Sequence, residues 1–124
     1  MRTSYFANRR AAADPHAVAI SRGVPRWFHG RVYDPLRPSW KLVQGAKTAT
    51  IGHDEYERRY RAEVLDRLDP AHVRRELGDD AVLLCWERAG EPCHRRLVAD
   101  WLERSLGIEV PELGGPEEPG PSFP

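Results

Sequence analysis

The chain has 124 residues, enough for one domain with a packed core. Its 19 lysines and arginines balance its 19 aspartates and glutamates, so no global field attracts it to nucleic acid or to an acidic membrane. No segment approaches the run of about 18 apolar residues that a membrane-spanning helix needs, and the first residues lack the apolar core of a signal peptide. We therefore expect a cytoplasmic protein in which Cys85 and Cys93 are thiols rather than a disulfide.

Two short strands are predicted near the N-terminus. The first covers residues 3–7, which include two adjacent aromatic β-formers. A connector at residues 11–15 forms at most one helical turn. The second strand, residues 16–21, is apolar enough to be buried on both faces. Ser21 and Arg22 would then lie at the carboxyl end of a strand, where open α/β sheets place their ligands.

Residues 26–51 are predicted to form a long, ordered, aromatic-rich connection with one helical turn near Pro35 and Leu36. A loop of this length in a small domain is more often functional than idle. The other interpretation is that its aromatic side chains cover one face of the sheet. Both interpretations stay open at this point.

Two helices are predicted next. The first begins at Asp54, because an acidic N-cap followed three residues later by Glu57 forms a capping box. Its apolar stripe consists of Tyr56, Tyr60, Val64, Leu65 and Leu68. The second helix begins after Asp69, with proline in its first turn, and ends at Gly78.

A strand, a polar loop and a helix follow between residues 81 and 106. The apolar run 81–85 predicts a buried strand, and an amphipathic helix opens at Cys93 and ends before Gly107. We expect a short edge strand at residues 108–110 and a Pro-, Gly- and Glu-rich tail from Glu112 onwards. We predict one domain at residues 1–113 and a disordered tail at residues 114–124.

Strands that alternate with helices predict an α/β domain with a mostly parallel sheet flanked by helices. An α+β domain is the alternative, because only the later connections are clearly helical.

Cys93 is the candidate nucleophile. It lies at a helix N-terminus beside arginines, and both features favour the reactive thiolate. His94 or Glu87 would act as the general acid or base. The structural alternative is that Cys93 is a small buried core residue, as we expect of Cys85 within its strand.

Arg22 and Arg95 are the candidate anion clamps, because a guanidinium binds carboxylate or phosphate in a forked geometry. Arg22 would face the same cleft only if its strand neighbours the strand before the loop. Ser21 and Ser4 complete the predicted ligand-binding set. The alternative for Arg95 is an ion pair with a nearby glutamate of the loop.

The sequence gives weaker signals for two further classes of site, a metal site and a nucleic-acid surface. A metal site would need Cys85, Cys93, His94 and a distant histidine, and adjacent ligands rarely bind one zinc in a closed tetrahedral site; no metal and no cofactor are predicted. A nucleic-acid surface is indicated by arginines interleaved with aromatics from Trp27 to Tyr33, a mixture that is also typical of an ordinary solvated loop.

Four segments carry a resemblance to a known family: Leu83 to Glu87, Cys93 to Arg95, Ser21 to Pro25 and Tyr56 to Leu65. In these segments the sequence resembles the domain-of-unknown-function family 488, in particular its short single-domain bacterial members. The resemblance implies a small Rossmann-like domain that is intracellular and mostly bacterial, with a shared site but no assigned reaction. One departure is that Ile20 stands where longer members carry an aspartate before the strand-end arginine. The signature positions that the resemblance implies are Arg22, Glu87, Cys93, His94 and Arg95.

The leading hypothesis is a domain that binds a small anionic ligand, a nucleotide or phosphorylated metabolite, around Glu87 to Arg95. The alternative is a non-catalytic nucleic-acid or protein interaction module that uses the surface from Trp27 to Tyr33. The sequence does not decide whether the protein is an enzyme, and it gives no oligomeric state.

Overall fold

A computed structural model describes residues 1–86 and 94–114. Four strands and five α-helices are found in this part of the chain, together with 3-10 turns at Asp34–Leu36 and Leu65–Arg67. The strands are β1 (Arg2–Tyr5), β2 (Ala17–Ala19), β3 (Arg31–Val32) and β4 (Val82–Cys85), and the helices are α1 (Arg9–Ala12), α2 (Trp40–Lys47), α3 (His53–Glu63), α4 (Pro70–Leu77) and α5 (His94–Leu106).

The strands form one parallel sheet in the order β1-β4-β2-β3. The two central strands, β4 and β2, are buried along their whole length, as their apolar sequences predict. This sheet with its helices confirms the predicted α/β class with parallel strands. It also places the carboxyl ends of all four strands at one edge.

Side chains alternate between two apolar layers on either face of the sheet. In β4, Leu83 belongs to the larger layer, which includes side chains of α2 to α5, whereas Val82 and Leu84 belong to the smaller one. Helix α1 and Phe28 cover this second face. The domain is therefore layered on both sides, with most of its helical mass on one.

The connection between residues 26 and 51 contains more structure than the sequence indicates. The predicted turn at Pro35–Leu36 is present, but β3 and α2 lie in the same segment. Helix α2 begins where the Ser39 hydroxyl accepts a hydrogen bond from the Leu42 N–H at 3.1 Å. Tyr33 is buried and Phe28 nearly so, which places much of the aromatic content in the core.

The predicted helix starts are right in one case and wrong in the other. Asp69 caps α4 through the Ala71 N–H, and Gly78 ends this helix with a φ of 89°. Helix α3, however, begins at His53 with Gly52 as its N-cap residue, and no side chain caps it. The predicted capping box at Asp54 is therefore wrong, and this acidic residue lies in the first turn instead, where the helix dipole favours it.

The C-terminal segment is part of the sheet edge, contrary to the sequence interpretation. No strand forms at residues 108–110; instead Glu112 makes a parallel bridge with Thr3 of β1. The Thr3 N–H donates to the Pro111 carbonyl at 2.9 Å, and the Leu113 N–H donates to the Thr3 carbonyl at 2.8 Å. These bonds cover the open edge of β1.

No helix in the described ranges 1–86 and 94–114 is long and apolar enough to cross a bilayer.

Candidate functional site

The carboxyl edge of the sheet brings the ends of β2 and β4 together. These two strands are neighbours and parallel, with Ala19 opposite Leu84, and the Ile20 N–H donates to the Leu84 carbonyl at 3.0 Å. These two strands have to be neighbours if Arg22 is to face the loop before α5, and the backbone meets this requirement. This edge is where parallel α/β sheets bind ligands.

The turn after β2 is held in place by side-chain bonds to its backbone. The Ser21 hydroxyl donates to the Gly23 carbonyl at 2.6 Å. From outside the turn, Arg37 donates to the carbonyls of Ser21, at 3.0 Å, and of Arg22. Sequence reasoning missed Arg37, since nothing in its local pattern shows that its side chain returns to an earlier strand end.

Arg22 lies partly exposed beside this turn. Its Nε donates to the Pro38 carbonyl at 2.9 Å, and its Nη1 lies 4.0 Å from Oδ1 of the exposed Asp34. Across residues 1–86 and 94–114, Nη2 of Arg22 donates no hydrogen bond. One side of the guanidinium is therefore fixed and the other is available for an anion.

His94 joins the start of α5 to the end of β2. Its buried ring lies 2.7 Å, through Nε2, from the Ile20 carbonyl, and it packs 5.1 Å from the Tyr60 ring. Burial lowers the pKa of His94 to about 4, against the opposing effect of its hydrogen bond to Ile20. The imidazole is therefore neutral at pH 7, with Nε2 as the donor to the carbonyl and Nδ1 as the basic nitrogen.

Arg95 is buried, and within residues 1–86 and 94–114 its ion pair is with Glu112, whereas the loop glutamates considered as partners lie outside these residues. Its guanidinium is 1% exposed and binds the Glu112 carboxylate through Nε and Nη2, with the shortest contact at 2.7 Å. Its Nη1 donates to Cys85 Sγ at 3.0 Å, and its charge lies 5.6 Å from the Tyr5 ring centroid. The structure thus gives the guanidinium protein partners on several sides.

Glu112 stays ionised in this buried setting. Burial by itself would raise the pKa of the carboxyl, but hydrogen bonds from Arg95 and Thr3, with the charges of Arg95 and Arg96, lower it below its ordinary value. Arg96 also donates to the Thr3 hydroxyl at 2.9 Å and to the Val110 carbonyl at 2.8 Å. Helix α5, β1 and the C-terminal segment are therefore joined by one polar network.

The remaining predicted site residues fall into three groups. Ser4 is buried inside β1, where its hydroxyl donates to the Leu113 carbonyl and accepts from Asn8. Cys85 is buried as expected, but it is disulfide-bonded, so the expectation of a thiol is wrong for this residue. Glu87 and Cys93 lie outside the described residues.

An aromatic group on the second face of the sheet reaches the same edge. Buried Phe6, directly after β1, contacts the rings of Trp86 and Trp27 at centroid distances of 5.2 and 6.4 Å. Trp86 is 50% exposed and Trp27 38%, and the Arg9 guanidinium lies 3.7 Å from the Trp27 ring centroid. Trp86 was missed as a site residue, although its position directly after β4 is the signal that singled out Arg22.

Among residues 1–86 and 94–114, no group of three His, Cys, Asp or Glu side chains is arranged to hold a metal ion.

The family model DUF488-N3a, described as the active DUF488-N3 subclade, matches residues 4–106. The chain belongs to the DUF488-N3a family. No curated protein and no solved structure gives a significant match. The match confirms the resemblance to domain-of-unknown-function family 488, and it spans the second half of β1 and all later elements through α5. Glu112, the partner of Arg95, lies beyond the matched range.

The low pKa of His94 predicts that this DUF488-N3a protein loses stability in mild acid. The unfolded histidine takes up a proton near its ordinary pKa of 6.5, whereas the folded one resists until about pH 4. Stability is thus complete above pH 6.5 and falls by about 3 kcal/mol as the pH drops through this window. Urea unfolding of His94→Gln, which keeps a donor for the Ile20 carbonyl, should show a flatter profile. The exposed His53→Gln is the control, and an unchanged slope in His94→Gln would refute the assignment.

The pairing of Arg95 predicts a large cost for Glu112→Gln. Removing the carboxylate charge takes the Glu112 counter-charge away from a buried guanidinium, which destabilises by about 3 kcal/mol. The measurement is the free energy of unfolding in urea at pH 7. Glu109→Gln, an exposed glutamate of the same segment, should stay within about 0.5 kcal/mol of the parent. Equal stability of the two variants would show that the Arg95 charge is compensated elsewhere.

Proposed function

We propose that this chain binds a small anionic ligand, a nucleotide or phosphorylated metabolite, at the carboxyl edge of the sheet. The observation that carries the proposal is the parallel pairing of β2 with β4, which brings Arg22 to the edge from which α5 starts. Ligands of open α/β sheets occupy this position. The start of α5 adds partial positive charge from the helix dipole.

Arg22 is the anion-binding residue of the proposal. The bond from its Nε to the Pro38 carbonyl fixes the guanidinium plane, so little rotational freedom is lost when an anion binds. Asp34 competes weakly, since its carboxylate is largely exposed and 4.0 Å away. A phosphate oxygen would bind more strongly than this distant carboxylate, because the hydrogen bonds would be short and charge-assisted.

The other predicted ligand-binding residues have supporting roles in this proposal. Ser21 shapes the turn that carries Arg22, and Ser4 ties β1 to the C-terminal segment. Arg95 is paired with Glu112, and the carboxylate neutralises much of its positive charge at this edge of the sheet. We therefore assign direct contact with the anion to Arg22 rather than to Arg95.

We extend the proposal to catalysis because the matching family is described as active. In the reduced protein, Cys93 is the proposed nucleophile and His94 or Glu87 the proposed general acid or base. Burial keeps the His94 imidazole neutral at pH 7, and Nε2 is fixed on the Ile20 carbonyl, but a pKa of about 4 makes it a weak general base at this pH.

Binding of inorganic pyrophosphate tests the anion site. Calorimetric titration at low salt should show binding that Arg22→Met weakens by about 10- to 100-fold, the effect of one or two charge-assisted hydrogen bonds. Arg58→Met is the matched control, because this arginine is exposed on α3. Equal weakening by both variants would indicate binding through net charge alone and would contradict the proposed site.

The pH dependence of alkylation tests Cys93. The experiment uses reduced protein with Cys85→Ala, because Cys85 is otherwise disulfide-bonded. Iodoacetamide should react with an apparent pKa well below the value of about 8.5 for an ordinary thiol, and pyrophosphate should slow the reaction. A pKa near 8.5 with no protection by pyrophosphate would remove Cys93 from the proposed chemistry and leave the binding proposal in place.

A further inference from the structure

Two tryptophans at the carboxyl edge are exposed although they adjoin a buried core. The rings of Trp86 and Trp27 both pack edge-on against Phe6, which is 1% exposed. Half of Trp86 nevertheless remains accessible. Large aromatic side chains that are held by the core and still face solvent are typical of stacking surfaces.

Trp86 is fixed to the turn that carries Arg22. Its indole N–H donates to the Gly23 carbonyl at 2.8 Å, and the same carbonyl accepts from the Ser21 hydroxyl. Gly23 directly follows Arg22, so the indole is attached to the turn from which the Arg22 side chain extends. A ligand that contacts both side chains would combine a planar ring with an anionic group.

The N-terminal third of the chain is rich in arginine, and one of these arginines lies on the aromatic group. The first 40 residues contain seven arginines and two aspartates, although the whole chain is neutral. Both aspartates are engaged, Asp14 by Arg2 and Asp34 by Arg37. Arg9 lies on Trp27 and adds a cation to the aromatic group.

We propose that Trp86 is the stacking surface for a nucleobase whose phosphate binds Arg22, with Arg9 and Trp27 forming a second, cationic wall. This inference rests on the anion site proposed above and adds the chemical class of its ligand. The shared chemistry is an aromatic base joined to a phosphate, as in a free nucleotide or in a single-stranded nucleic acid. Phe28 and Tyr33 take no part, because both are buried.

The test compares AMP with ribose 5-phosphate, which has the phosphate and sugar but no base. AMP should bind the parent protein about 5- to 150-fold more tightly, the effect of stacking one base on an aromatic side chain. Trp86→Leu should abolish this preference without changing the affinity for ribose 5-phosphate. Trp86→Phe keeps an aromatic ring and should therefore keep most of the preference for AMP.

Trp40→Leu is the control for non-specific adsorption of a base to an exposed indole. Trp40 is the most exposed of these side chains, at 61%, and it heads α2 rather than packing on Phe6. It should retain the full preference for AMP. If Trp40→Leu loses the preference for AMP and Trp86→Leu retains it, the assignment of the stacking surface to Trp86 is overturned.

The two proposals fail in different ways. If AMP and ribose 5-phosphate bind the parent protein equally, the stacking surface is refuted and the anion site stands. In another outcome, Trp86→Leu weakens the binding of AMP, while Arg22→Met changes the affinity for neither AMP nor ribose 5-phosphate. The stacking surface then stands and the anion site is refuted.

The length of the ligand distinguishes its two sources. A thymidine oligonucleotide of about eight residues, within the range of site sizes that single-strand-binding folds cover, is compared with dTMP. An affinity that rises with length and falls steeply with salt assigns the surface to single-stranded nucleic acid. Equal affinities assign it to a free nucleotide. In both cases Trp86→Leu must weaken the binding, and an unaffected oligonucleotide would contradict the proposal.

Discussion

The buried guanidinium of Arg95 is the constraint on which much of this domain depends. A charge that is 1% exposed costs several kcal/mol unless a counter-charge and hydrogen bonds compensate it. Its neighbours here come from β4, β1 and the C-terminal segment, through Cys85, Tyr5 and Glu112. The segment after α5 must therefore return to the edge of β1 so that Glu112 reaches the guanidinium, and the backbone bonds to Thr3 follow from that return.

The same helix is tied to the other side of β4 by His94. Its ring binds the Ile20 carbonyl, so the start of α5 is attached to the end of β2 by one residue and, by the next, to Glu112, which lies beside β1. Adjacent residues of a helix point in different directions, which lets one turn reach both neighbours of the central strand. The position of α5 at the carboxyl edge is thus fixed by two separate contacts. Such rigidity is what a binding site for a small anion needs, because little freedom remains to be lost on binding.

The elements with strong local signals could be predicted from the sequence, and those that depend on distant partners could not. The apolar runs of β2 and β4 and the Asp69 cap of α4 are local features, and they are present. Glu112 was assigned to a tail because its neighbours are Pro- and Gly-rich; its role comes from an arginine 17 residues away. The two-residue strand β3 has too few residues for a periodic pattern, and it forms because β2 offers it an edge. Within the candidate site, Arg22 could be found from the end of its strand, whereas Arg37 could not.

The proposed ligand class rests on the position of Trp86 and not on the overall charge balance. The whole chain is neutral, although its first 40 residues hold seven arginines against two acidic residues. The parallel order of the sheet then brings the ends of β1, β4 and β2 to one edge, and with them Phe6, Trp86 and Arg22. The contacts of Trp86 and Trp27 with Phe6 are not visible until the strand order is known. Because β4 is the last strand in sequence but lies between β1 and β2, residues about 80 and 60 positions apart become neighbours through ordinary sheet pairing. The ligand class is therefore proposed from topology, which attaches Trp86 to the turn that carries Arg22, rather than from composition.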